Sequence, residues 1–213
     1  LISAFSSSVK PGRVRRRTNR VCSSLTESPF PAAGGRLHVS LAAISSRSST
    51  SSFAQSGSVS SLVAAFPSLE GAAGAAAQLL KSQYLPAALE ILNAQALETI
   101  GAGNSPWALL IPIEGAREAV DRQVAEIGGL CKAAGAPAVE TLAGPSEDGL
   151  WLGVRDLPRL LSSASPGIVA ARCSVVISGV LKTAAAAVGA AASRGLTVAL
   201  DLRAGNGVVN AWF

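Results

Sequence analysis

An arginine, a tight glycine turn and an asparagine near the end of the chain come closest, by type and spacing, to residues that could do chemistry. They lie in Leu202-Arg203-Ala204-Gly205-Asn206-Gly207-Val208-Val209-Asn210. A Gly-x-Gly between two apolar runs lets the backbone turn sharply with no Cβ in the way, which is useful where a flat cofactor or substrate lies against main chain. Asn-Gly is also the strongest short-range signal for a plain β-hairpin, so the residues alone leave both readings open. Arginine can clamp a carboxylate through two N–H groups, but it has no lone pair to offer a metal ion.

Other chemistries find no foothold. The sequence contains no Gly-x-Ser-x-Gly and no Walker sequence, and no Gly-x-Gly-x-x-Gly follows a strand, which removes the nucleophile elbow and the usual phosphate cradles. Cys131 and Cys173 have no histidine in their own part of the chain to act as base. With Cys22 they make an odd set without C-x-x-C spacing, so they read as reduced thiols rather than a disulfide framework or a metal cluster. The single histidine, His38, reads as incidental. Glu114, Glu140 and Asp201 fall at predicted strand ends, where solvated charges are the simplest reading.

Charge splits the chain in two. Residues 1–60 carry eight basic side chains (Lys10 and seven arginines, five of them between Arg13 and Arg20) against Glu27, a balance of +7 that leaves −2 for the remainder of a chain with net charge +5. Three readings fit this Arg- and Ser-rich leader. It has the composition of an organelle transit peptide. It could be a basic arm, although no aromatics lie among Arg13–Arg20 to stack on bases, so nucleic acid is not expected as a partner. It could also be a non-native stretch joined to a genuine domain. Runs such as Ser45–Ser52 lack an apolar period and cannot offset their ordering entropy, so residues 1–58 are expected to be disordered or non-native. With no methionine in 213 residues, the chain is expected to be a fragment or a processed product.

The elements that must position the Arg203 loop begin at Val59. A strand over Val59–Phe66 ends at Pro67. Ser68 is a candidate N-cap for a helix over Leu69–Ser82, with Glu70 in its first turn. A strand over Ala87–Asn93, the loop Gly101–Pro106 and a strand over Trp107–Glu114 follow. A helix over Ala116–Ala134, with Glu118 and Arg122 spaced to pair, closes at Gly135 before a strand over Ala138–Leu142. The order β-α-β-β-α-β predicts an α+β fold, a ferredoxin-like four-stranded antiparallel sheet with two helices on one face. A partial second α+β half follows: helices over Glu147–Leu161 and Leu181–Arg194, and strands over Arg172–Ser178, Leu196–Asp201 and Val208–Phe213. No apolar segment reaches the roughly 20 residues of a membrane span, and the apolar last strand suggests that the native domain continues beyond Phe213.

Three segments and the loop carry a family resemblance over roughly residues 62–213. They are Leu85-Pro86-Ala87-Ala88-Leu89-Glu90-Ile91-Leu92, then Trp107 through Ile113-Glu114-Gly115, then Glu118-Ala119-Val120-Asp121-Arg122-Gln123. In this order they resemble the C-terminal (cap) domain of FAD-linked oxidases of the glycolate oxidase flavin-subunit and D-lactate dehydrogenase type, within the vanillyl-alcohol oxidase-like superfamily. Trp151-Leu152-Gly153-Val154-Arg155-Asp156 is similar to that family's Trp-bearing helix after the first sheet, and residues 203–210 stand where the family has H-x-G-[DN]-G-x-x-H.

The resemblance implies part of an FAD-dependent oxidoreductase acting on a small 2-hydroxy acid such as glycolate or D-lactate. This chain would form the substrate-side cap, with FAD held mainly by a separate N-terminal domain. By itself the chain is expected to bind FAD weakly or not at all. Arg203 and Asn210 replace the two family histidines, so no metal is expected at the loop. They become candidate substrate-binding residues, with Gly205, Asn206 and Gly207 as a cofactor-proximal loop; no catalytic residue is assigned. Other oxidase subunits are expected partners, and the expected address is cytoplasmic, or an organelle if residues 1–58 are a transit peptide. The alternative is a non-catalytic accessory or oligomerisation subunit with the same ferredoxin-like fold.

Overall fold

The computed structural model describes residues 58–84 and 86–213. The expectations for residues 1–57, including disorder, a transit peptide and the roles of His38 and Cys22, lie outside the described residues.

The first half is the β-α-β-β-α-β unit. β1 (Ser58–Phe66) pairs antiparallel with β3 (Trp107–Gly115), Leu62 facing Ile111, and with β4 (Ala138–Leu142), Val63 facing Glu140. β2 (Glu90–Asn93) lies on the other side of β3. Between the strands run α1 (Leu69–Leu80) and α3 (Arg117–Ala133). Ser68 caps α1 as its type predicts, its Oγ accepting from Gly71 N at 3.2 Å. Gly135 follows the end of α3 with φ of 97°, a left-handed turn that glycine makes without penalty. On the surface of α3 the ion pair is Arg117–Asp121, at 3.8 Å, rather than the expected Glu118–Arg122. Both spacings are one helical turn, and exposed rotamers choose between them for tenths of a kcal/mol.

One element escapes the sequence pattern. α2 (Ala94–Thr99) directly follows β2, where no helix was expected. Six residues are too few to show a helical period, and tertiary contact holds this one. Ala96 and Leu97 are fully buried beneath α4 (Pro145–Ala164).

The second half adds β5 (Ala170–Ser174), a short 3-10 turn at Ile177–Gly179, α5 (Val180–Ala192), β6 (Ala199–Arg203) and β7 (Val208–Trp212). These strands do not build a sheet of their own. β6 pairs with β2, Ile91 facing Leu202, and the result is one seven-stranded antiparallel sheet in the order β4-β1-β3-β2-β6-β7-β5. Alternation along the strands sends Leu62, Phe66, Ile91, Leu109, Ile111 and Leu202 to one face, beneath α1, α3 and α5. Val63, Leu92, Leu110 and Trp212 reach the other face with α2 and α4. The two expected helices, α1 and α3, thus share a face, as that fold requires; α5 joins them, while α2 and α4 cover the other. Buried alanines such as Ala72, Ala75 and Ala184 bring α1 and α5 close to the sheet. No helix among the described residues is long and apolar enough to cross a membrane.

Candidate functional site

The glycine loop is the β6–β7 hairpin. Asn206 N and Gly207 N both donate to Arg203 O, at 3.1 and 3.0 Å, closing a turn over Ala204–Gly207. Gly207 has φ of 74°, and a Cβ there would collide with the carbonyl oxygen of Val175, whose own N donates to Gly207 O at 2.8 Å. The backbone lying against this glycine therefore belongs to the segment between β5 and the 3-10 turn. Gly205 has ordinary space, its nearest neighbour being Leu89 N at 3.9 Å.

Strand alternation turns Arg203 and Asn210 to the same side of the sheet, where a third side chain joins them. Asn210 Nδ2 donates to Asp201 Oδ2 at 2.9 Å, and Arg203 Nε lies 3.8 Å from that same oxygen. On the neighbouring strand, opposite Arg203 in register, Glu90 places Oε1 3.7 Å from Arg203 Nε. Asp201 was expected as a solvated strand-end charge; it sits instead in the middle of β6 and is 4% exposed, because β2 and β7 flank it on both sides. Glu140 likewise lies within β4 rather than at its end. Arg172, paired in register with Asn210, adds a second positive charge near Asp201.

Two carboxylates thus bracket the Nε edge of one guanidinium. Burial, with the neighbouring Asp201 charge, pushes Glu90 up to about 7 against the opposing pull of Arg203. Asp201 is also raised by burial, countered by the Asn210 hydrogen bond and by Arg203 and Arg172. Glu90 Oε2, Asp201 Oδ1 and Arg203 Nε itself find no hydrogen-bond partner among the described residues. Both ion pairs are recorded at the inner nitrogen of Arg203, at distances longer than a hydrogen bond. That side chain is 42% exposed. It borders a cleft of about 230 Å³ at the end of the sheet, whose walls include Leu80, Tyr84, Pro86, Leu89 and Glu90 and whose rim is Gly205 and Asn206.

Sequence reasoning named Arg203, Asn210, Gly205, Asn206 and Gly207; the first four gather at this cleft or at the polar cluster beside it, while Gly207 supports the hairpin. It missed Glu90, although the residue lay inside a quoted segment. The available signal was a carboxylate in an apolar strand, Leu89-Glu90-Ile91-Leu92, where only a partner across the sheet makes burial tolerable.

A second polar contact fastens α4 to the sheet. Buried Ser61 donates to Glu147 Oε1 at 2.6 Å and accepts from Trp151 Nε1 at 2.8 Å. Burial raises the Glu147 carboxyl while the Ser61 hydroxyl opposes the shift. Ser61 Oγ both donates and accepts here, tying Glu147 and Trp151 of α4 to β1.

Comparison with known proteins agrees with this architecture. The family profile described as FAD linked oxidases, C-terminal domain matches residues 56–210. Two solved structures of alkyldihydroxyacetonephosphate synthase, in crystal forms P1 and P212121, share the fold. Their TM-scores are 0.54 and 0.52 at 14% and 15% identity, over 74% of this chain. The chain spans about a third of each, 36% and 35%. Curated protein sequences give no match.

Proposed function

This chain belongs to the family of FAD linked oxidases, C-terminal domain, and from that premise we propose that it is the substrate-side cap of an FAD-dependent oxidoreductase acting on a small 2-hydroxy acid of the glycolate or D-lactate type. The observation that carries the reading is the half-exposed guanidinium of Arg203 lining a small cleft, with Glu90 and Asp201 beside its inner nitrogen at ion-pair distance. A guanidinium oriented in this way matches the planar carboxylate of a 2-hydroxy acid. Asn210 takes part through Asp201, which it steadies by hydrogen bond. Gly205 and Asn206, which line the same cleft, are the cofactor-proximal loop in this reading.

The cleft does not fit FAD. At about 230 Å³ it is smaller than the roughly 300–1,000 Å³ of ordinary small-molecule sites, and its walls offer one cation, Arg203, against a diphosphate. In this reading the dinucleotide has its main site on another domain, and the residues here bind and orient the acid. Other oxidase subunits are partners in the same reading. Titrating the purified chain with FAD while following flavin fluorescence is the test: weak or no quenching is expected, and micromolar affinity overturns the assignment of FAD to another domain.

A further inference from the structure

We propose that the cleft beside Arg203 is a subsite for compact monoanionic carboxylates that carry an apolar body, and that Glu90 is the positioning residue which excludes dianions. The inference rests on the reading of Arg203 as part of a substrate site and deepens it by naming the class of acid.

Three observations define that class. The first is the number of charges. Arg203 is the cation at the cleft, and its Nε already lies between Glu90 Oε1 and Asp201 Oδ2, at 3.7 and 3.8 Å. A ligand meeting the exposed part of the guanidinium enters the field of two carboxylates. One negative charge is matched by the guanidinium, whereas a second has no partner and meets the ionised Glu90 carboxylate beside Arg203, a like-charge arrangement that selects by repulsion. The second observation is the wall. Leu80, Tyr84, Pro86 and Leu89 present carbon surface next to the charged end, so a hydrocarbon substituent of the acid replaces water there. The third is size: about 230 Å³ suits a short acid and not a long chain.

The protonation of Glu90 supports the same conclusion. The groups that face it are Asp201 and Arg203 from β6, with Arg172 of β5 beyond Asp201 and the Tyr84 phenol across the cleft; from β3 its register partner is the uncharged Leu110. With the proton on, Glu90 adds no charge beside Arg203 and the guanidinium is left to meet a monoanion. With the proton off, Glu90 adds a negative charge that competes with a bound acid.

The experiment is an NMR titration of the full chain, following the Gly205 and Asn206 amides, with 2-hydroxy-3-methylbutanoate, D-lactate and D-malate as probes. The branched monoanion is expected to bind most tightly at about pH 6, and malate about tenfold more weakly than lactate at about pH 8, where Glu90 is ionised. Arg203→Lys keeps the positive charge but loses the fork, and should weaken lactate about fivefold or more. Raising the pH to about 8 should weaken binding to the parent chain, while Glu90→Gln should hold its affinity across that range. Malate binding as tightly as lactate at about pH 8, an unchanged Arg203→Lys, or a Glu90→Gln variant with the parent's pH dependence overturns the proposal. These outcomes are separate from the flavin titration: acids can bind as described to a chain that also binds FAD tightly, and a chain that ignores FAD can fail to discriminate between them.

Discussion

Two glycines two positions apart in one hairpin have different duties. Gly207 is held at φ of 74° with the Val175 carbonyl where a side chain would begin, whereas Gly205 has no comparable neighbour. Gly207→Ala is expected to cost about 2–4 kcal/mol, from left-handed strain together with overpacking. Gly205→Ala should cost less than about 1 kcal/mol. Urea midpoints of the two variants check the difference, and equal losses would mean that the Val175 contact is not what requires glycine. At this scale chemistry and structure are also distributed within one motif. Arg203 and the rim of the hairpin face the cleft, while Gly207 fixes the turn that brings them there.

Among the elements, the junction of the two halves depends on a residue that sequence inspection passes over. Asn93 ends β2, and its Oδ1 caps α2 by accepting from Ala96 N at 3.2 Å. The same oxygen accepts from Leu200 N at 2.9 Å, and Nδ2 donates to Val198 O at 2.7 Å. One side chain therefore both starts a helix and aligns the entry of β6. Asn93→Ala removes a cap and leaves backbone groups of the junction without partners, an expected loss of about 2–4 kcal/mol. Hydrogen exchange gives the sharper check: Leu200 and its neighbours in β6 should lose protection before the β1–β3 ladder does. Equal loss across both would assign the junction to the strand ladder alone.

Across the described molecule the sheet is continuous, and both apolar layers cross from the first half to the second. Phe66, Leu109 and Val209 share one layer, Val63, Leu150 and Trp212 the other. A chain built this way has no interface along which the halves can part. Residues 58–213 are expected to unfold in a single calorimetric transition, with β1, β3, β6 and β7 amides exposed together. Two resolved transitions would show that the β2–β6 seam, three paired residues wide, is a domain boundary.

Local residue order was enough to foresee the ferredoxin-like unit and the hairpin. The apolar run from Leu62 to Phe66, the Ser68 cap, the period of α3 and the Gly135 stop each act on their own neighbours, so each can be read one segment at a time. The same locality allowed the family to be recognised and Arg203 to be singled out. Pairing across distance is another matter. Nothing within Leu89–Leu92 states that Glu90 will face Arg203, nor does anything near Asp201 state that β2 and β7 will bury it. Strand register sets those neighbours, and register is settled when a whole sheet chooses which face to hide. For that reason the clamp around Arg203 emerged only once β6 had docked against β2.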